Sequence, residues 1–268
     1  ALAAYFGLDQ NWFVQFWRWL AGVLQGDLGV STTFGQPVLI IILEHFPLTL
    51  ELAVLSMLIA LGLGLPLGIF AATRKNSAAD LAVRVIAMIG QSTPSFVVGL
   101  LLIFTLSVGF GVLPQMGSFV PFREDPLGNL SQMILPALTL GTAFAAAVIR
   151  MSRSAMLDIL REDYVRTARS KGMPRRWVIW RHALPNALIP VVTLSGIEFG
   201  YLLGGAVLVE QIFALPGLGR VVLEAIQQRD YALVQGSVLF IAFNFMVINL
   251  LVDLAYAALD PRIRFDGK

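Results

Sequence analysis

Apolar residues fill five long runs of this chain, separated by shorter polar segments. Residues 46–72 carry one charge, Glu51, in 27 positions. Residues 85–113 and 126–149 carry none in 29 and 24 positions. Residues 183–209 carry only Glu198, and residues 231–252 carry no charge at all. A helix needs about 20 apolar residues to cross a hydrocarbon core of about 30 Å, so each run is long enough. The runs are uninterrupted and rich in Leu and Ala, unlike the alternating segments of about ten residues that build a membrane β-barrel. The pattern predicts an all-α integral membrane protein, a polytopic helical bundle with five spans visible.

Composition agrees: 57% of the 268 residues are hydrophobic and 13% charged, with a mean hydropathy of +0.77. Soluble domains carry about 25% charged residues, so a disordered chain, a coiled coil and an ordinary soluble enzyme are excluded. There is no cysteine for disulfides, thiolate metal sites or redox chemistry, and the two histidines, His45 and His182, are too far apart for a His-cluster motif. The 19 basic residues are unevenly placed. Fifteen lie in residues 73–84, in residues 150–182 and after Leu259, whereas Arg18, Arg123, Arg220 and Arg229 fall in the alternate segments. With five spans the two sets alternate without conflict, and the positive-inside rule predicts the first set, with the C-terminus, to be cytoplasmic.

That orientation puts the N-terminus outside. Residues 11–24 include Trp12, Phe13, Phe16, Trp17, Trp19 and Leu20, which suits a helix lying in the headgroup zone and equally a helix packed on the bundle. No basic region followed by an apolar core and a small-residue cleavage site marks a signal peptide. Because the chain starts at Ala1, a further span upstream is expected.

The longest polar segment, 150–182, holds nine basic and three acidic residues. Within it, residues 163–170 are predicted to form a short helix. Glu162 and Asp163 at its start and Arg169 and Lys171 at its end complement the helix dipole. Gly172 supplies a left-handed terminus, and Pro174 suits the first turn of the next helix. Tyr164 and Ala168 are four apart and share a face. The prediction is helix, glycine turn and a second helix outside the membrane, a docking element rather than a merely basic loop.

The stretch Tyr164-Val-Arg-Thr-Ala-Arg-Ser-Lys-Gly172, nine residues, then His182-Ala-Leu-Pro185 resembles the E-A-A loop of ABC importer permeases. Ala168, Gly172, Leu184 and Pro185 fall in register, while Arg166, Thr167 and His182 depart in the manner of the peptide and nickel branch. Gly26-Asp-Leu-Gly29, Gln91-Ser-Thr-Pro-Ser-Phe96, the segment from Glu210 to Gly219, Arg229-Asp-Tyr231 and Asp260-Pro-Arg-Ile-Arg264 also resemble that branch. The resemblance runs from about Asn11 to Arg264 and is to the first permease subunit of dipeptide and oligopeptide importers, the DppB/OppB type.

The resemblance implies a type I ABC importer permease fold, with one more span upstream. It implies an external segment at 1–36, a permease transmembrane domain at 37–260 with the coupling loop 150–185, and a cytoplasmic tail at 261–268. It implies a bacterial or archaeal inner-membrane location. A second, homologous permease, two ABC ATPase subunits and an external solute-binding protein are the implied partners, with a di- or oligopeptide as substrate. Nickel or its chelates, glutathione and sugar-phosphate conjugates use similar permeases. No nucleic-acid partner is expected. Glu162, Asp163, Tyr164, Ala168, Arg169, Gly172, Leu184 and Pro185 are the implied coupling residues, with Tyr164 and Ala168 as the apolar face seated in an ATPase groove.

No G-x-x-x-x-G-K-[ST] phosphate loop occurs. The chain is therefore expected to hold no cofactor and to be no enzyme, with ATP and Mg²⁺ bound by the ATPase partners. Glu198, Asn244 and Asn249 are polar groups at membrane depth. A carboxylate there is costly unless paired or facing water, so Glu198 fits a translocation pathway or, equally, a hydrogen bond between helices. Glycines four apart, at 196, 200 and 204 and at 64 and 68, favour close helix packing over substrate contact. Pro66, Pro94, Pro136 and Pro190 lie in spans and would loosen helix geometry locally. An intramembrane protease lacks its Gly-x-Ser-Gly nucleophile and paired span aspartates. A secondary transporter or channel would have no use for a docking loop.

Overall fold

The computed structural model describes residues 11–109 and 119–259. The closing Asp260–Arg264 motif, the basic tail, the Gly267-Lys268 pair and residue 115 lie outside them. The described residues form helices joined by short turns, with one bridge pair, Val30 with Pro37, and no sheet.

Two long helices organise the bundle: α2 (Val38–Thr73) and α5 (Pro126–Ile159). At 1.5 Å per residue they run about 54 and 51 Å, longer than the hydrocarbon core, so each projects beyond it or tilts. They pack along most of their length because small residues remove the obstacle. A Cβ added at Gly64 would lie 2.6 Å from Val148, one at Gly141 2.8 Å from Ile59, and one at Gly68 would strike the Ser152 hydroxyl. The main core lies between α2, α5 and α8 (Leu184–Gly205), around Leu52, Ala60, Met133, Ala137 and Leu202. The glycines of α8 are likewise packing positions: Gly196 faces Val252 and Gly200 faces Phe245 of α11 (Tyr231–Leu259).

The second apolar run is not one straight span. It is two helices, α3 (Ala78–Ser92) and α4 (Ser95–Leu102), bent 99° apart, with a π-helical stretch at Ile103–Gly109 after α4. Among the described residues, four helices are long and apolar enough to cross a membrane, or five if this bent pair makes one span. The break has a local cause. Pro94 cannot donate a backbone hydrogen bond and disfavours helical geometry in the residue before it, and Thr93 is extended at φ −89°, ψ 120°. The Thr93 amide and hydroxyl both donate to the Ile89 carbonyl, at 3.0 and 2.8 Å. Pro66, Pro136 and Pro190, by contrast, sit inside continuous helices.

At one end of the bundle, α1 (Trp12–Leu24) carries no buried residue, and Trp12 and Trp17 are exposed. The same end holds α9 (Val207–Ile212) and α10 (Leu218–Gln227). Buried carboxylates fix the start of α10 and the start of α11. Glu210 accepts from the Thr49 hydroxyl at 2.7 Å and from the Arg220 amide at 2.9 Å, while Thr49 Oγ1 accepts from the Leu218 amide. A Cβ at Gly219 would press on that carboxylate at 2.9 Å, and one at Gly217 would collide with it. Asp230 accepts from the Ser31 hydroxyl at 2.5 Å and from the amides of Thr33 and Leu233 at 3.0 and 3.1 Å.

Candidate functional site

Two regions combine the polar residues singled out in the sequence: the loop after α5, and a cleft at the break between α3 and α4.

The loop begins later than its polarity suggests, because α5 continues to Ile159. Then α6 (Asp163–Ser170) forms with the predicted bounds, Glu162 preceding it in extended geometry and Asp163 in its first turn. It stops where expected. Gly172 has φ +76°, its amide donates to the Arg169 carbonyl at 3.0 Å, and the Met173 amide donates to the Ala168 carbonyl at 3.4 Å. These two bonds make a Schellman terminus, which satisfies carbonyls the helix end would leave bare.

The buried face of α6 is not the one expected. Val165 and Ala168, three apart, are buried against Val178, with Ile159, Leu160 and Met173 alongside. Ala168 therefore packs into its own chain instead of presenting an apolar face to a partner. Tyr164 is 41% exposed, and its hydroxyl accepts from Asn186 Nδ2 at 3.0 Å. The outward surface of α6 is polar: Asp163, Arg166, Thr167, Arg169 and Ser170. Arg166 and Asp163 pair there at 3.3 Å, an exposed contact of little energetic weight.

The segment after Gly172 also differs from expectation. It is not a separate extramembrane helix: α7 (Arg175–Trp177) runs through a π-helical stretch, Val178–Ala183, directly into α8. A proline inside a helix removes one donor and crowds the preceding turn. The wider π turn just before Pro185 accommodates both effects. Leu184 packs among Ala72, Ala155, Met156 and Ala187, where α2 and α5 end. An Arg175 guanidinium N–H donates to the Thr73 carbonyl at the end of α2. The loop thus holds the ends of three long helices together.

A buried ion pair strengthens that end and had no signal in local sequence. Asp80, fully buried on α3, receives a two-pronged contact from Arg153 of α5 at 2.7 and 2.9 Å, with Arg84 at 3.6 Å. Such forked pairs combine strength with fixed geometry, so the first turn of α3 is locked to α5 just ahead of the loop.

The cleft has a volume of about 430 Å³, within the range of ligand pockets. Gln91, Thr93, Pro94 and Ser95 line it from the broken pair, Ala143, Phe144 and Ala147 from α5, and Glu198 and Tyr201 from α8. The structure therefore brings Glu198 together with the Gln91–Phe96 motif, which sequence reading treated separately. Irregular backbone at membrane depth is tolerated where it lines a cavity or is buried in protein, and this break lines one. Asn244 and Asn249 are not among the lining residues. Asn244 Nδ2 donates to the Phe240 carbonyl of its own helix at 2.8 Å.

Comparisons with known proteins agree with this geometry. The family described as binding-protein-dependent transport system inner membrane component matches residues 64–265. The glutathione transport system permease protein GsiC of Salmonella paratyphi A is 44% identical over 259 residues, covering 97% of this chain and 82% of the relative. A putative peptide transport system permease protein of Brucella abortus is 45% identical over 260 residues with the same coverage. Among solved structures, the inward-facing MetNI methionine ABC transporter aligns with a TM-score of 0.66 at 18% identity, covering 82% of this chain and 96% of that one. An amino acid ABC transporter solved with histidines aligns with a TM-score of 0.54 at 20% identity, covering 83% and 94%. Those two likenesses show the fold of an ABC importer permease. With its fold, its broken-helix cleft and a family match across three quarters of its length, the chain belongs to the inner membrane components of binding-protein-dependent transport systems.

Proposed function

We propose that this chain forms, with a second homologous permease, the pathway of an ATP-driven importer for peptides or peptide-like molecules such as glutathione. The observation that carries the reading is the likeness across 97% of the chain to permeases of glutathione and putative peptide systems. The cleft supports it: Glu198 offers a carboxylate to a protonated amine, and Gln91, Thr93, Ser95 and Tyr201 offer hydrogen bonds to peptide groups.

In this account the chain performs no chemistry. ATP and Mg²⁺ bind two separate ATPase subunits, and an external binding protein delivers the substrate to the α1, α9 and α10 end. The loop 150–185 is cytoplasmic, as is the tail 261–268, within a bacterial or archaeal inner membrane. The polar outer face of α6, including Arg169 with Glu162 beside it, seats on one ATPase. Val165, Ala168 and the Schellman turn at Gly172 make α6 rigid, and Leu184, Pro185 and the Arg175 contact pass its movement to α8, α5 and α2. Because α8 carries Glu198 and α5 carries Phe144, the movement reaches the cleft walls directly.

The test is uptake into proteoliposomes of the complete importer, with labelled dipeptides, tripeptides and glutathione as probes. Uptake requiring both ATP and the binding protein is the expected result. Uptake driven by an ion gradient alone would overturn the reading in favour of a secondary transporter.

A further inference from the structure

The start of the Arg175–Gly204 helix carries a feature that neither docking of α6 nor the substrate cleft uses. A cleft of about 400 Å³ is lined by Arg176, Trp177, Trp180 and Arg181. Trp180 is 65% exposed and Trp177 47%. The Arg181 guanidinium lies 5.8 Å from the centre of the Trp177 ring. Among the described residues, no carboxylate lies within ion-pair range of Arg176 or Arg181. We propose that this cleft binds the phosphate-bearing headgroup of an anionic membrane phospholipid.

Depth is the first reason. The 30 residues of Arg175–Gly204 pass as one membrane-crossing helix. Their length, about 45 Å, equals a bilayer including its headgroups, whose polar layers are each about 5–8 Å thick. Trp177 and Trp180 stand about 3 and 7.5 Å along the helix from Arg175, so the pair spans one headgroup layer. Indole rings favour that depth, with the ring against the acyl boundary and the N–H toward polar groups.

Chemistry is the second reason. Two guanidinium groups without carboxylate partners match a phosphate diester in charge and in hydrogen-bond geometry. Basic pockets at this membrane surface hold anionic headgroups. Gly172 and Pro174 immediately precede the helix, so a bound headgroup would also fix the angle at which it leaves the loop.

The proposal rests on this helix crossing the bilayer, as the proposed permease requires; ATPase activity of the same preparation reports on that reading separately. The experiment places the complete importer in nanodiscs of phosphatidylcholine. Each disc contains the same fraction of either acyl-brominated phosphatidylglycerol or acyl-brominated phosphatidylcholine. The tryptophan emission belonging to the site is read as the difference between wild type and Trp180→Phe. Brominated phosphatidylglycerol is expected to quench that emission more than brominated phosphatidylcholine does. Arg176→Gln with Arg181→Gln should abolish the excess, and added inorganic phosphate should leave it in place. Equal quenching by the two lipids would overturn headgroup recognition. No quenching by either would mean that protein covers the face, and loss of the excess on adding phosphate would mean a site for the free anion; both results overturn the proposal.

Discussion

Substituting Gly172 separates backbone strain from steric conflict in the loop that follows α6. Its φ is +76°, and a Cβ built there meets no atom within 4 Å. Alanine therefore causes no clash within the chain and adds only the penalty of a left-handed L-residue, about 1 kcal/mol. That corresponds to a factor of about five in any equilibrium requiring the native turn, including association with an ATPase subunit. Asparagine tolerates this region better and should lose less, whereas valine, β-branched, should lose more. The assay is titration of permease pairs in nanodiscs with purified ATPase subunits, read as apparent affinity and as hydrolysis stimulated by the loaded binding protein. The expected order is Gly172, then Asn, then Ala, then Val, with insertion of the bundle unchanged. Equal affinity and full stimulation for Ala and Val would refute the claim that the turn sets the docked geometry. Failure to insert would contradict it as well, since it would make the loop part of the membrane fold.

Glu198→Gln should lower or redirect uptake of peptides bearing a free amino terminus while the complex still assembles, measured by transport and by subunit stoichiometry. Gly68→Ala should destabilise the α2–α5 contact by about 1–3 kcal/mol through overpacking against Ser152. Gly62→Ala, which points into open space, should be neutral or slightly stabilising, and thermal unfolding in detergent compares the two. Burial pushes the Asp230 carboxyl up, but hydrogen bonds from Ser31, Thr33 and Leu233 outweigh it and hold the carboxyl below its ordinary value. A depressed carboxyl stabilises the fold above the unfolded value of about 3.9, and that stability is lost as pH falls through the folded value. Protection of the amides of residues 31–34, taken as the exchange rate relative to the intrinsic rate at each pH, should therefore fall on acidification below about pH 4 in the wild type, and should be low and insensitive to pH over that range in Asp230→Asn.

The sequence was most informative where local chemistry decides structure. Charges placed at the ends of α6, with Gly172 and Pro174 after it, set its bounds and its left-handed stop without tertiary help. Glycines four apart on α2 and α8 marked the close contacts with α5 and α11. What local pattern could not supply were choices among equivalent options. Of Pro66, Pro94, Pro136 and Pro190, all inside apolar runs, only Pro94 breaks its helix; the polar run from Gln91 to Thr93 beside the cleft accompanies that break. Tyr164 and Ala168 share a face by spacing, but Ala168 and Val165 share one too, and burial selected the second pair. The contacts of Asp80 with Arg153, Glu210 with Thr49 and Asp230 with Ser31 join residues 73, 161 and 199 positions apart, so no short window contains them.

The central claim is that the cleft beside Glu198 is the substrate path and that movement at α6 changes its exposure. These 268 residues include no cysteine, so Ser95→Cys and Tyr201→Cys each add one thiol to the cleft. Their labelling by a membrane-impermeant reagent should be measured from each side of proteoliposomes, with and without trapped ATP. The account predicts reactivity from the loop side without nucleotide, and its loss or transfer to the opposite side when ATP holds the ATPases closed. Thiols at both positions that stay unreactive from either side in every nucleotide state would contradict it.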